Sequence, residues 1–209
     1  MELILVRHAE TLWNQERRWQ GHTDVPLSPI GIAHLNAGAE YTRTWRDSIT
    51  QVYASDLSRA KNTAEGLFPD TPGILIDARL REIHLGEWEG KNRDGIAESF
   101  SDTFLAFDRA EDVKAPGGES FLESRERVWS WYQDHHTRWR DNDRVVVVAH
   151  GGTIRALLFA LIPDLPGHLR NQFRVDNLSV SVLQSRPEQI NIIHWNVPIE
   201  WYQGAPASD

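Results

Sequence analysis

The chain of 209 residues contains no cysteine, and this absence excludes disulfide bonds, thiolate metal sites and a cysteine nucleophile. An excess of positive charge is also missing. The formal net charge of −8 argues against general binding of nucleic acid, because that function needs a basic face. No apolar run has the length of a membrane span, and no signal peptide precedes the first strand. We therefore expect a cytoplasmic protein without nucleic-acid or membrane partners.

Short apolar strands alternate with helical patterns along the chain. Strands are predicted at Leu3–Val6, Gln51–Ala54, Ile74–Ile76, Arg144–Ala149, Leu178–Leu183 and Ile190–Trp195. The main helices are predicted from Ser28 to about Arg46, from Ser55 through Leu67, over Glu119–Arg140 and over Thr153–Leu161, with a short helix around Phe100, Phe104 and Phe107. This alternation is typical of an α/β fold, with a mainly parallel sheet covered by helices on both faces. We expect one domain over residues 1–209, with a cap-like helical insertion at about 81–140.

Two of the predicted strands end on a histidine. Leu3–Val6 is followed by Arg7 and His8, and Arg144–Ala149 is followed by His150. Ligands of open α/β sheets bind at the carboxyl ends of the strands, so the two imidazoles would share a cleft if these strands are neighbours. A guanidinium beside an imidazole suits a phosphate, because Arg binds the oxygens bidentately and His can attack phosphorus.

Further polar groups follow the predicted strands. Gly151 and Gly152 open a helix, so their amides could face an anion. Arg59 lies in the first turn of the helix after Gln51–Ala54, and Glu82 follows the third strand. Together these groups fit phosphoryl transfer without a metal. Cations and amides would neutralise the phosphoryl oxygens, while a carboxylic acid protonates the leaving alkoxide and then activates water.

Four motifs follow one another along the chain. Arg-His-x-Glu-Thr-x-Trp-Asn comes first, followed by Ser-x-x-x-Arg-Ala, Glu-Ile-x-x-Gly-x-Trp-Glu-Gly and His-Gly-Gly. In this order they resemble the histidine phosphatase superfamily, the phosphoglycerate-mutase-like proteins, over nearly the whole chain. The segment around Glu82 is similar to that of the broad-specificity bacterial phosphatases. Alpha-ribazole phosphatases and metal-independent phosphoserine phosphatases are similar small members.

The resemblance implies a phosphohistidine mechanism with no cofactor and no metal. His8 would be the nucleophile and Glu82 the general acid. The groups that would hold the phosphate are Arg7, Asn14, Arg59, His150 and the Gly151 amide. Gln20, Gly21 and Thr23 match the family's loop beside the substrate. The expected partner is a small phosphorylated metabolite, and formation of a homodimer through the strand near Leu178 is left open.

The family contains phosphatases and cofactor-dependent mutases, which differ in whether water or a sugar-acid hydroxyl attacks the phosphohistidine. Mutases are generally longer, with a basic, proline-rich insertion after the Glu motif. Here that region reads Ala-Pro-Gly-Gly-Glu-Ser at residues 115–120, which resembles the phosphatase branch. The sequence therefore favours hydrolysis of small phosphomonoesters, with a phosphoglycerate mutase as the alternative. A non-catalytic phosphate-binding protein is disfavoured because both His8 and Glu82 are present.

Structural roles remain open for two of these side chains. Arg59 could pair with Asp56 on the neighbouring helical turn. Glu82 could be the ion-pair partner of Arg79 or Arg81. Their positions after strands favour a role at the phosphate.

Three further positions have two interpretations each. Asn14 could be a helix-cap residue instead of a phosphate ligand. His84 either faces the substrate beside Glu82 or hydrogen-bonds a loop carbonyl. Ala9 stands where the family usually has glycine, a change that we expect to be tolerated if its φ is negative.

Overall fold

A six-stranded sheet forms the centre of the computed structural model, which describes residues 1–71, 73–186 and 189–204. The strands are β1 (Glu2–Arg7), β2 (Gln51–Ala54), β3 (Leu75–Ile76), β4 (Arg144–Ala149), β5 (Ser179–Arg186) and β6 (Gln189–Pro198). Their order is β3-β2-β4-β1-β5-β6. The first four are parallel, whereas β5 runs antiparallel to β1 and β6 antiparallel to β5. The predicted α/β fold with a mainly parallel sheet is confirmed.

Seven helices accompany the sheet in the described part of the chain. They are α1 (Leu12–Gln15), α2 (Pro29–Thr42), α3 (Ser58–Leu67), α4 (Arg93–Ser99), α5 (Ser101–Asp108), α6 (Phe121–His136) and α7 (Gly151–Leu161). Single 3-10 turns occur at Arg46–Ser48, Ala78–Leu80, Gly86–Trp88 and Ile199–Trp201, with a longer one at Gly167–Gln172. None of the helices found in the described ranges is both long and apolar enough to cross a lipid bilayer.

Alternating side chains of the central strands build two cores, one on each face of the sheet. Leu3 and Leu5 of β1 face the core that contains residues of α6 and α7. Ile4 and Val6 face the opposite core, which contains residues of α2 and α3. All four side chains are at most 1% exposed, and each such burial contributes about 1.5–3 kcal/mol. Burial on both faces explains why these strands are continuous apolar runs.

The predicted helix starts differ from the observed ones at α3 and α7. Ser55 does not cap α3, because its buried hydroxyl accepts from the N–H of Leu57 at 3.3 Å in the preceding loop. The helix begins three residues later, at Ser58. In contrast, α7 begins at Gly151, two residues earlier than predicted, with His150 as N-cap. Both strand-to-helix junctions therefore place loop backbone at the carboxyl edge of the sheet.

The ends of α2 and α6 also differ from the prediction. α2 ends at Thr42 instead of about Arg46, and residues 46–48 form a separate 3-10 turn. α6 covers residues 121–136 instead of 119–140, because Ser120 and Glu123 form a capping box at its start.

Aromatic side chains in the first part of the segment 81–140 pack against Trp19. The single short helix predicted there is two helices, α4 and α5, which meet at Phe100 with φ −141°. Trp19 contacts Trp88, Phe104 and Phe107, with ring centroids 5.4–6.0 Å apart. Of these four residues, Trp19 and Phe107 line the cavity described below, whereas Trp88 and Phe104 are buried. The assignment of the whole chain to a single domain stays a prediction.

Candidate active site

The two strands that end on a histidine are neighbours in the sheet. β1 and β4 pair in parallel with Arg7 opposite Ala149, and the His8 N–H donates to the Ala149 carbonyl at 3.0 Å. The imidazole rings of His8 and His150 have centroids 5.1 Å apart. Both rings are almost completely buried. The two strand ends therefore place two imidazoles side by side.

The hydrogen bond of His8 determines its tautomer. Nδ1 lies 2.7 Å from the Ala9 carbonyl oxygen, which can only accept, so Nδ1 carries the proton. Nε2 is left with its lone pair. The Ala9 backbone is held in turn by its N–H, which donates to Thr63 Oγ1 at 3.0 Å. Ala9 is not among the described residues with positive φ, so alanine fits where the family usually has glycine.

His150 has the opposite tautomer. The Arg59 Nε–H donates to His150 Nδ1 at 3.2 Å, and a guanidinium cannot accept, so the proton of this imidazole is on Nε2. Nε2 is buried and has no hydrogen-bond partner among the described residues. His150 Nε2–H is therefore a hydrogen-bond donor without an acceptor in this part of the structure, and the His150 ring lies close to the His8 ring, whose Nε2 has a free lone pair.

Both imidazoles are neutral near pH 7. Burial lowers the pKa of His8 well below the ordinary 6.5, and the positive charges of Arg59 and Arg7 lower it further. Burial also lowers the pKa of His150 well below 6.5, with smaller contributions from Arg59 and His8. An imidazole can act as a nucleophile only when it is unprotonated, and this electrostatic environment keeps His8 in that form.

The two arginines beside these histidines are positioned by backbone carbonyls. Arg59 is fully buried, and its Nη1 and Nη2 donate to the carbonyls of Thr23 and Gly21, each at 2.8 Å. Burial lowers the pKa of Arg59 to about 10, so the guanidinium stays charged near neutrality. Arg7 donates from Nη1 to the Val175 carbonyl at 2.7 Å, while its buried Nε has no partner among the described residues. Arg7 and Arg59 thus keep N–H groups available for an anion.

Glu82 lies at the N-terminus of α7. Its carboxylate accepts from the backbone N–H groups of Ile83, Gly152 and Thr153 at 2.9, 3.1 and 3.2 Å. The Gly152 amide, which the sequence suggested would face an anion, therefore binds this carboxylate. The helix N-terminus stabilises negative charge at this position. A Cβ on Gly152 would lie 2.3 Å from Glu82 Oε1, so only glycine permits this approach.

The alternative ion pairs suggested for Glu82 and Arg59 do not form. Asp56 binds Arg81 through two hydrogen bonds of 2.8 and 2.6 Å. Arg79 binds Asp77 and, on α6, Asp134. Both arginines are therefore used on the outer side of the segment, and Glu82 is left to the amides of α7.

Arg127 of α6 holds the segment that carries Glu82, and sequence reasoning did not identify it. Its Nη1 donates to the carbonyls of Arg79 and Arg81 at 2.6 and 3.0 Å. Its Nη2 donates to the Glu82 carbonyl at 3.2 Å, which also accepts from His22 Nε2 at 2.8 Å. No local pattern signals this role, because it depends on carbonyls that lie about fifty residues away in the sequence.

The loop that supplies carbonyls to Arg59 is fixed by Glu89. The Thr23 N–H and hydroxyl donate to its carboxylate at 2.9 and 2.6 Å, and the His22 N–H at 2.9 Å. Burial opposes the charge, but the hydrogen bonds from Thr23 and the amides lower the pKa of Glu89. Gly21 has φ +50°, and a Cβ there would lie 2.1 Å from Glu89 Oε1. Thr23 therefore acts on Arg59 through its backbone.

Asn14 is both a cap residue and part of the site. Thr11 and Asn14 form a capping box at the start of α1. The Asn14 Oδ1 also accepts from Asn177 Nδ2 at 3.3 Å, and the same Nδ2 donates to the His8 carbonyl at 2.9 Å. The two interpretations of this residue are compatible.

A cavity of about 570 Å³ opens above the strand ends. The predicted site residues that line it are Arg7, His8, Asn14, Gln20, Gly21, Arg59 and Glu82. His150 is fully buried, and neither His150 nor Thr23 is in the lining. Gly151 borders an adjoining cavity of about 390 Å³. The His84 ring is partly exposed and stacks on His22 at 4.7 Å, outside the lining of the main cavity.

The cavity also has lining residues that sequence reasoning did not identify, namely Trp19, Arg93, Phe107, Arg155 and Asn171. The position of Arg155 at the cavity could have been predicted from the sequence. Arg155 lies four residues after Gly151 on the same helical face, and helical side chains lean toward the N-terminus. No sequence pattern places Arg93 or Asn171 at the cavity. Among the residues that the structure describes, no three His, Asp or Glu side chains could jointly hold a metal ion.

The sequence model of the histidine phosphatase superfamily (branch 1) matches residues 3–198. The chain belongs to this superfamily. Its relatives and structural neighbours are named both as mutases and as phosphatases, and the phosphatase neighbours are consistent with a phosphoric monoester hydrolase.

Three comparisons illustrate this range. A relative in Enterobacter sp. (strain 638), named probable phosphoglycerate mutase GpmB, is 34% identical over 186 residues, covering 87% of this chain and 83% of the relative. A mycobacterial glucosyl-3-phosphoglycerate phosphatase is similar in structure, with a TM-score of 0.84, 31% identity and coverage of 94% of this chain and 98% of that one. A phosphoserine phosphatase from Entamoeba histolytica has a TM-score of 0.83 at 25% identity, covering 93% of this chain and 96% of that one.

Proposed function

We propose that this protein hydrolyses small phosphomonoesters through a phosphohistidine intermediate on His8, without a metal ion. One observation carries the proposal. The neutral His8 has a free Nε2 lone pair, and near it are two buried N–H groups that find no acceptor in the described part of the chain, Arg7 Nε and His150 Nε2. Buried donors are costly when they are unpaired. An oxyanion bound in front of His8 would satisfy both.

The first half-reaction forms the intermediate. His8 Nε2 attacks phosphorus, the N–P bond forms and the ester P–O bond breaks. Glu82, as the carboxylic acid, gives its proton to the leaving alkoxide. Arg7, Arg59 and the His150 Nε2–H stabilise the charge on the phosphoryl oxygens in the transition state.

The second half-reaction regenerates the enzyme. The Glu82 carboxylate takes a proton from water, the water oxygen bonds to phosphorus and the N–P bond breaks. The products are inorganic phosphate, neutral His8 and protonated Glu82. The sum of the two steps is hydrolysis of the ester, with no other reactant.

The test is phosphate release from a panel of phosphomonoesters in the presence of a chelator. The panel includes p-nitrophenyl phosphate, phosphoserine and 3-phosphoglycerate. We expect release by the native chain and none by His8→Ala, which should also fail to become labelled as a phosphoenzyme. Loss of the native activity in chelator would contradict the metal-free mechanism, and activity of His8→Ala would contradict the nucleophile.

A phosphoglycerate mutase is the second candidate, because a relative with 34% identity has that name. Against it, residues 115–120 form a tight turn, in which the Gly118 N–H donates to the Ala115 carbonyl at 2.9 Å, instead of an insertion. The discriminating measurement supplies 3-phosphoglycerate with bisphosphoglycerate. Formation of 2-phosphoglycerate faster than release of phosphate would favour the mutase and contradict the phosphatase proposal.

A further inference from the structure

A hydrogen bond joins the backbone just after β1, next to His8, to the helix α3 that carries Arg59. The Ala9 N–H donates to Thr63 Oγ1 at 3.0 Å. Thr63 lies on α3 one turn after Arg59, and its hydroxyl donates in turn to the Arg59 carbonyl at 2.6 Å. In the described part of the chain, no other hydrogen bond connects residues 7–9 with α3.

The sheet itself does not fix α3 against the end of β1. In the strand order β3-β2-β4-β1-β5-β6, β4 separates β1 from β2, the strand that leads into α3. Backbone pairing of β1 with β4 places His8 close to His150. The placement of α3 relative to His8 therefore depends on tertiary contacts such as the bond from Ala9 to Thr63.

Solvent cannot replace this hydrogen bond. Ala9 and Thr63 are both 0% exposed. Ala9 belongs to the same apolar core as Ala60 and Ala64, which lie on the same face of α3 as Thr63. A buried amide needs an acceptor from the protein when water is excluded. A hydroxyl meets this need, because it can accept from one N–H while it donates to a carbonyl.

The residue that Thr63 holds is also the one that determines the tautomer of His8. The Ala9 carbonyl accepts from His8 Nδ1 at 2.7 Å, which leaves the lone pair of Nε2 free. The hydrogen bond at one imidazole nitrogen decides which nitrogen carries the proton. A shift of the Ala9 backbone would weaken this bond, and a proton on Nε2 would then remove the lone pair that attacks phosphorus.

We propose that Thr63 is a positioning residue for the nucleophile, because its hydroxyl fixes the Ala9 backbone that keeps the His8 proton on Nδ1. The same hydroxyl links this backbone to the first turn of α3, where Arg59 lies. The inference rests on the phosphatase activity proposed above and specifies how that site keeps its nucleophile in the reactive form. Thr63 is fully buried and is not in the cavity lining, so it acts through His8 and not on the substrate.

Thr63→Val tests the proposal, because valine keeps the shape of threonine but lacks the hydroxyl. We measure kcat/KM for p-nitrophenyl phosphate, whose leaving group departs without protonation, so that the value reports on attack by His8. We expect a loss on the order of 10²-fold, as for a displacement of about 1 Å at a reacting group. Thr63→Ser, which restores the hydroxyl, should return kcat/KM to within a few-fold of the native value. A native kcat/KM in Thr63→Val would overturn the proposal.

Thr42→Val is the matched control. Thr42 is also a fully buried helical threonine outside the cavity lining, and its hydroxyl donates to the carbonyls of Ala39 and Leu67, both at 2.9 Å. We expect this variant to unfold at a lower urea concentration, as Thr63→Val does, and to keep the native kcat/KM. Equal losses of kcat/KM in the two variants would mean that Thr63 acts only on stability, and the proposal would be overturned.

Nitrogen-15 NMR of histidine-labelled protein measures the tautomers directly and needs no turnover. The His8 signals are identified by their absence from His8→Ala. In the native chain near neutral pH, we expect the proton on Nδ1 of His8 and on Nε2 of His150. Thr63→Val should show His8 partly protonated on Nε2, with His150 unchanged, whereas Thr63→Ser and Thr42→Val keep the native pattern. An unchanged His8 tautomer in Thr63→Val would overturn the proposal even if its kinetics were impaired.

The NMR comparison keeps this inference separate from the proposed function. If the native chain released no phosphate, a tautomer shift in Thr63→Val would still support the positioning role, and only the phosphatase proposal would fail. If the native chain were active and Thr63→Val kept the native tautomer and kcat/KM, only the positioning role would fail. Should Thr63→Val not fold, Thr63→Ala also removes the hydroxyl and has a higher helix propensity, and the same outcomes decide the proposal.

Discussion

Partners of opposite character determine the tautomers of the two imidazoles at the candidate site. A carbonyl oxygen accepts from His8 Nδ1, whereas the Arg59 guanidinium donates to His150 Nδ1. One imidazole therefore presents a lone pair and the other an N–H. Residues of one type therefore present different chemical groups because their environments differ, and the residue types alone could not reveal this.

Glu82→Gln tests the acid role at the residue scale. Glutamine keeps the size of the side chain but cannot donate the proton that a poor leaving group needs. We expect kcat for alkyl phosphates to fall by roughly 10²–10⁴-fold, and much less for p-nitrophenyl phosphate, whose leaving group departs without protonation. Steady-state rates on both substrate types measure this difference. Equal losses for good and poor leaving groups would show that Glu82 is not the acid.

Sequence reasoning placed His8, Arg7, Arg59 and Glu82 in one cavity, because each follows a strand whose carboxyl end lies at the same sheet edge. It could not place the contacts between distant segments. The bond from Arg59 to His150 joins residues 91 positions apart, and no local pattern encodes it.

At the scale of elements, the approach of α7 to the Glu82 segment organises the site. The first turn of this helix donates two N–H groups to the carboxylate, and the Thr153 hydroxyl donates to the Arg81 carbonyl at 2.6 Å. Long apolar strands such as β1 and β4 were predictable. The contact of Gly152 with the Glu82 carboxylate was not, because the two residues lie 70 positions apart in the sequence. β3 was predicted at residues 74–76 and is observed at Leu75–Ile76.

Gly152→Ala tests this contact. The new methyl group would lie 2.3 Å from Glu82 Oε1 and 2.8 Å from Ile83 Cδ1, so the carboxylate must move. A displacement on the order of 1 Å costs up to about 10²-fold in rate, so we expect a loss of that order in kcat on alkyl phosphates. Gly151→Ala is the matched control, because its nearest neighbour, Arg7 Nε, would be at 3.7 Å. Similar kinetics for the two variants would contradict the positioning role of this approach.

At the scale of the whole molecule, the buried neutral histidines couple stability to pH. The pKa of His8 and of His150 is well below 6.5 in the folded chain, mainly through burial. An unfolded chain protonates both near their ordinary value. Below pH 6.5 the unfolded state therefore binds more protons than the native state, and the free energy of unfolding decreases as the pH falls. Each histidine contributes up to about 1.4 kcal/mol per pH unit.

His8→Asn removes one of these contributions. Between pH 6.5 and 5, we expect its unfolding free energy to decline less steeply than that of the native chain, by up to about 1.4 kcal/mol per pH unit. Carboxylates whose pKa is lowered, such as Asp56 and Glu89, lose their contribution only at more acidic pH. Urea unfolding at several pH values in phosphate-free buffer measures the slopes, with His34→Asn at an exposed position of α2 as control. Parallel slopes for the native chain and His8→Asn would mean that His8 is protonated in the folded state, and the neutral nucleophile would have to be abandoned.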